Sequence, residues 1–194
     1  MTSTIMEEWL RWFDSRMAGR KVVLLMDNFS AHTAALQIIN STPLKLQNTL
    51  VIWLPPNSTS RYQPLDQGII QAWKAHWKRH WIHFLLQEFE AGKDPLSTMN
   101  VLRAIRWGIE AWELNIPRSA LQNCFKKAGF FNTNEEGQEQ PLSVADIEAD
   151  IRRDIHRLEE NSYIQEAMDI NNFVNPAEEV VQDSLDQIDE QILA

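Results

Sequence analysis

The chain has 194 residues, 44% of them hydrophobic, with eight tryptophans and a net charge of −9, enough to bury a sizeable core in one domain plus an appendage. No apolar run reaches the roughly 18 to 20 residues that span a bilayer, and no leader pattern opens the chain, so an intracellular, non-membrane protein is expected. The charge is unevenly spread: residues 1–134 hold 15 Lys/Arg against 10 Asp/Glu, and residues 135–194 hold 3 against 17. A mildly basic body suits a polyanionic partner, whereas the acidic end would repel nucleic acid and suits solvent or a protein.

Residues 5–19 read as an amphipathic helix, with Ile5, Trp9, Leu10, Trp12, Phe13 and Met17 at helical spacings before Gly19. KVVLLM, residues 21–26, is short, continuous and apolar, as a strand buried on both faces would be. A short helix over Thr33–Ile39 and a second buried strand, TLVIWL at 49–54, complete a β-α-β unit, which makes the two strands parallel.

A long helical pattern covers about residues 65–90, with Trp73, Trp77, Trp81 and Phe84 on its apolar stripe. Two further helices are expected at about 95–113, after Asp94-Pro95, and from Pro117 to Ala128, with Gly129 as its cap. The core ends near Phe131. A polar linker at 132–140 separates residues 1–131 from an acidic helical tail at 141–194. In the tail, Ser143–Asp146 fits a capping box ahead of a stripe of Ile147, Ile151, Ile155 and Leu158. Asn175-Pro176 opens a second stripe of Val181, Leu185, Ile188 and Ile192. Such narrow stripes favour weak docking or pairing over an independent core.

Chemistry collects at the ends of the two strands. Functional side chains in open α/β sheets lie just beyond strand carboxyl ends, where Asp27 follows the first strand. The second strand leads into QPLDQG at 63–68, and Asp66 could swing back so that two carboxylates converge. Each also has a plainer role, Asp27 as a turn residue and Asp66 as an anion in a first helical turn. His76, His80 and His83 have adequate spacing for a metal face, but alternate with tryptophans and with Lys74, Lys78 and Arg79. An apolar seam with a basic flank is the simpler account, and that flank is the best nucleic-acid contact in the chain. The single cysteine, Cys124, excludes an internal disulfide and reads as a small core residue.

The segments MDNFSAH, WLPPNSTSRYQPLDQGIIQAWK and LQNCFKKAGF, in that order, resemble the DDE-type endonuclease domain of pogo/Tigger-like transposases. These belong to the mariner superfamily, to which centromere protein B and jerky-like proteins are related. The resemblance covers about residues 5–131. It implies an α/β, RNase H-like fold, here partial, with two parallel strands and flanking helices, then a helical bundle-like region and the tail. It further implies a nuclear protein that cleaves and transfers DNA strands with two magnesium or manganese ions held by three acidic residues. The second acidic residue maps onto Asp27 and the third onto Asp66, with Asn28, His32, Gln63 and Gln67 in support. DNA would be contacted through Lys74, Lys78, Arg79, Lys126 and Lys127. The first acidic residue belongs to an earlier strand in the family; before Asp27 there are only Glu7, Glu8 and Asp14, all within the first helix. The expectation is therefore the C-terminal part of a transposase-derived endonuclease, inactive as an isolated chain, or else a domesticated DNA- or protein-binding module. The acidic tail would serve self-association or a protein partner.

Overall fold

The computed structural model describes residues 2–56, 58–131, 144–165, 169–174 and 176. The chain divides into two compact units, one built on Met1–Gln63 and the other on Pro64–Val181. Most of the described chain is helical, with two parallel strands.

The first unit is the β-α-β element preceded by a helix. Helix α1 (Ser3–Arg16) begins at Thr2, whose side-chain oxygen accepts the Ile5 N–H. Strand β1 (Val22–Met26) pairs in parallel with β2 (Thr49–Trp53), setting Val22 opposite Thr49 and Met26 opposite Trp53. Helix α2 (Ser30–Ser41) connects them and starts three residues earlier than Thr33. Leu24, Met26, Val51 and Trp53 pack against Met6 and Leu10 of α1 and Ala35 and Ile39 of α2. The opposite sheet face, with Val23, Leu50 and Ile52, is exposed.

Asp14 locks this unit. It is buried in the last turn of α1 and accepts backbone N–H bonds from Gln47 (2.9 Å), Asn48 (2.8 Å) and Thr49 (2.8 Å). Burial pushes its carboxyl up, but those three donors outweigh it and hold the group below its ordinary value. The approach to β2 is thereby fixed by a side chain 33 to 35 residues earlier.

After β2, Ser58 is buried; its hydroxyl donates to Pro55 O (2.6 Å) and its carbonyl accepts the N–H groups of Arg61 and Tyr62. These bonds form a four-residue helix, α3 (Thr59–Tyr62), for which the sequence shows no periodic signal.

The second unit opens with a 3-10 turn, Pro64–Gln67, rather than the first turn of the long helix. Gly68, at φ 128°, separates it from α4 (Ile69–Glu90). The helix expected at 95–113 is two helices, α5 (Pro95–Thr98) and α6 (Val101–Asn115). The cause is local: Asn100 accepts the Arg103 N–H at 2.9 Å and so caps a new helix where the periodicity alone runs on. Helix α7 (Arg118–Lys127) follows Pro117, and Gly129 at φ 85° terminates it.

Helices α8 (Ala145–Glu160) and α9 (Ile170–Val174) close this unit. Ile147, Ile151, Ile155 and Leu158 of α8, with Ile170 and Val174 of α9, are buried with Ala75, Ile82 and Leu86 of α4 in one core. Helices α8 and α9 thus supply much of the burial around α4, more than a narrow stripe suggests. The capping-box serine and the second tail stripe, together with the 132–140 linker, lie outside the described residues.

Candidate active site

Asp27 stands immediately beyond β1, where the strand pair ends in a Leu54 N–H bond to Met26 O (2.8 Å). Asn28 adds a second tie, donating its side-chain amide to Leu54 O at 2.6 Å. Asp27 Oδ1 accepts the Phe29 N–H (3.2 Å) and lies 2.7 Å from His32 Nδ1. A carboxylate only accepts, so Nδ1 carries the hydrogen of that bond. The Phe29 ring meets His32 edge-on, with centroids 5.3 Å apart. The carboxylate is therefore fixed through Oδ1, while Oδ2 has no hydrogen-bond partner among the described residues. The turn role and the functional position coincide in one residue.

Asp66 is exposed on the 3-10 turn of the second unit. Gln67 is half-buried, and its carbonyl lies 3.5 Å from Cys124 Sγ. Cys124 is buried and free, and burial pushes its thiol up against a smaller opposing effect of Lys127. In the first unit Gln63 is half-buried, with Oε1 unpaired among the described residues.

The histidines of α4 face different surroundings. His76 is buried, and desolvation, with Arg79 and His80, pushes it down to about 4. His80 stacks on Trp107 (6.2 Å between centroids), and burial also lowers it, against a raising effect of Glu110. His83 lies 3.5 Å from Asp154 of α8 and 2.9 Å from Gln87 Nε2. Among the described residues no three His, Cys, Asp or Glu side chains are gathered as a metal-ligand set, so the α4 histidines form no metal face. The donor chemistry at Asp27 suits a hard divalent cation. The count does not, because the described residues complete no two-ion ligand set.

The basic flank of α4 is largely engaged within the protein. Lys78 Nζ donates to the Phe173 carbonyl, lies 3.3 Å from Val174 O, and sits 5.1 Å from the Phe173 ring centroid. It therefore caps the carboxyl end of α9. Arg79 is 3.8 Å from Asp150 of α8. Lys74 is half-buried and also has an interaction partner. Lys126 and Lys127 lie in the last turn of α7, with Lys127 exposed. Two further cations, Arg103 and Arg106, line a polar cavity of about 550 Å³ with His80, His83, Glu88 and Glu110. Their i, i+3 spacing on a helix with a largely apolar face gave little sign of it.

A fixed carboxylate beyond the end of a parallel strand is the placement used by functional groups of open α/β proteins. Residues 1–125 match the DDE superfamily endonuclease family. The chain belongs to that transposase-derived family and is of the pogo/Tigger-like kind. It is 42% identical over 197 residues to CENP-B homolog protein 2 of Schizosaccharomyces pombe, an alignment covering 100% of this chain and 37% of the relative. It is 40% identical over 195 residues to ARS-binding protein 1 of the same organism, covering 99% of this chain and 36% of the relative. Tigger transposable element-derived protein 4 of Mus musculus is 24% identical over 132 residues, covering 67% of this chain and 24% of the relative. The chain thus spans 37% and 36% of the first two relatives' length. No solved structure matches it.

Proposed function

We propose that the chain is the C-terminal part of a nuclear DDE endonuclease with a partial RNase H-like fold, binding DNA and inactive in strand cleavage by itself. The observation that carries this reading is Asp27: its Oδ1 is fixed by His32 and the Phe29 amide, and its Oδ2 is turned to no protein group among the described residues. Asp27 and Asp66 are the residues that would hold magnesium or manganese. Asn28 and His32 keep Asp27 in place, and Gln63 and Gln67 flank Asp66. Two carboxylates are too few for the two-ion chemistry of the family, which needs convergent ligands to fix both metals. Lys126 and Lys127 are the first proposed DNA contacts, with Lys74, Lys78 and Arg79 secondary because each already has an interaction partner within the protein.

The test is incubation of the 194-residue chain with supercoiled DNA and magnesium or manganese, beside the Asp27→Ala, Asp66→Ala double variant. The expected result is DNA retention that falls steeply with salt, without nicking. Nicking that disappears in the double variant would refute the inactivity. Absence of DNA binding at low salt would refute the DNA-facing role.

A second reading is favoured by the names of two relatives, a CENP-B homolog and an ARS-binding protein. In it the domain is a domesticated DNA- or protein-binding module, and Asp27 is retained for the turn. DNA affinity unaffected by EDTA and by Asp27→Asn would support it, since Asn keeps one oxygen for His32 and Phe29. A divalent-dependent gain in affinity lost in Asp27→Asn would exclude it.

A further inference from the structure

We infer that Phe29 is a specificity-determining residue, a platform on which one unpaired nucleobase of a bound DNA strand stacks beside Asp27. The inference rests on the DNA-facing role proposed above. A lone exposed apolar side chain ordinarily needs no account. Phe29 differs in where it stands and in how firmly it is held.

Its position is the N-cap of α2, where Ser, Thr, Asp or Asn would bond a free amide of the first turn, and where Phe29 makes no side-chain bond. An apolar residue there costs the helix about 1 kcal/mol relative to those caps. Burial does not offset that cost. Phe29 is 50% exposed, whereas Met26 before the turn and Ala31 after it are buried.

The backbone that carries the ring is fixed on both sides. The Phe29 N–H donates to Asp27 Oδ1 (3.2 Å), and the Phe29 carbonyl accepts the N–H groups of His32 (2.9 Å) and Thr33 (3.2 Å). The ring meets His32 at 5.3 Å between centroids with 75° between the planes. In that edge-to-face contact at least one broad face of the phenyl ring is left for another ring. His32 Nδ1 in turn donates to Asp27 Oδ1 at 2.7 Å. Carboxylate, imidazole and phenyl ring thus form one connected group at the carboxyl end of β1, and the Asn28 amide ties the same turn to Leu54 O.

Chemistry selects the ligand. A DNA strand held at Asp27 offers phosphates and bases. A cationic side chain placed for the phosphates would compete with a divalent ion for the carboxylate. A neutral ring adds affinity without that competition, since base–aromatic stacking contributes about 1–3 kcal/mol per base and every base has a π-face. Bases inside a duplex are already stacked on their neighbours, so the ring takes a base only from a single-stranded end, a gap or an unstacked site. Phe29 therefore sets a preference for the form of the DNA rather than for its sequence.

The experiment measures binding of the 194-residue chain, with magnesium at low salt, to a duplex with a single-stranded end and to a blunt duplex of equal length. Wild type is compared with Phe29→Ala, Phe29→Leu and Phe29→Trp. Wild type should favour the single-stranded end about tenfold, the effect of one base–aromatic stack; Phe29→Ala and Phe29→Leu should lose that preference and Phe29→Trp should keep it. The leucine variant separates stacking from apolar area. Affinity for the blunt duplex and the circular dichroism spectrum should not change, because the ring is exposed. A fluorescent purine analogue at the first unpaired position should be quenched by wild type and by Phe29→Trp, but not by Phe29→Ala. Equal binding of the two DNAs by wild type overturns the inference and leaves the DNA-facing role standing, and so does a preference that survives in Phe29→Ala. Absence of binding to either DNA overturns that role and the inference with it.

Discussion

Asp14 is the residue whose loss should cost the first unit most for a single polar change. Its carboxylate accepts three backbone N–H groups within 2.9 Å, from Gln47, Asn48 and Thr49, while the Asn48 side-chain amide bonds the Asp14 carbonyl at 3.1 Å. A hydrogen bond to a charged group contributes about 1.5–3 kcal/mol. Asp14→Ala removes three, but the loop that carries the donors is partly exposed and water can recover some of them. A net loss of about 3 kcal/mol follows. Asp14→Asn keeps one acceptor oxygen and should cost roughly half of that. Hydrogen exchange at Val22–Met26 reads this unit separately from the other. At about 1.4 kcal/mol per factor of ten, Asp14→Ala should speed exchange there roughly a hundredfold. The pH dependence has a definite sign. The folded carboxyl lies below its ordinary value, so its contribution is complete above the unfolded value near ~3.9 and fades as pH falls through the folded one. Exchange at Val22–Met26 that changes less than threefold in Asp14→Ala would refute the locking role.

His76 titrates at about 4 in the fold because of burial, with Arg79 and His80 adding to the effect. The unfolded chain therefore binds a proton near ~6.5 that the folded chain refuses, and the second unit should lose up to about 3 kcal/mol between those values. Urea midpoints at pH 7 and pH 4.5 should converge in His76→Gln relative to wild type; equal slopes in the two proteins would contradict this. Ile151 is fully buried in the α4–α8 core, so Ile151→Ala should cost about 2–5 kcal/mol in the denaturation of the second unit. A cost below about 0.5 kcal/mol would mean that α8 is detached in solution.

The elements most legible in the sequence are those whose apolar residues repeat within the element: α1, α4, α7 and both strands. Their ends are less so, because caps are decided by single side chains, as Asn100 shows by splitting one helical pattern into α5 and α6. Asp14 illustrates a different limit. A polar residue in an amphipathic helix reads as solvent-facing, and the donors that bury it lie 33 to 35 residues away. Lys78 fails for the same reason at longer range, since its acceptors Phe173 and Val174 are 95 and 96 residues on. Local pattern locates the basic flank of α4 correctly and says nothing of the helices that cover part of it.

Asp27 carries two demands that its side chain can separate. The turn from β1 into α2 needs one acceptor, and Oδ1 meets that need for both Phe29 and His32. An asparagine would meet it too, and the next residue, Asn28, already uses an amide to tie the strand ends at Leu54 O. What the carboxylate adds over an amide is negative charge and a second hard oxygen. Among the described residues Oδ1 meets the His32 ring and the Phe29 amide, and Oδ2 has no protein partner. That second oxygen is the one the proposed divalent-ion role would use, and it makes Asp27→Asn the substitution that keeps the turn while removing the proposed ligand.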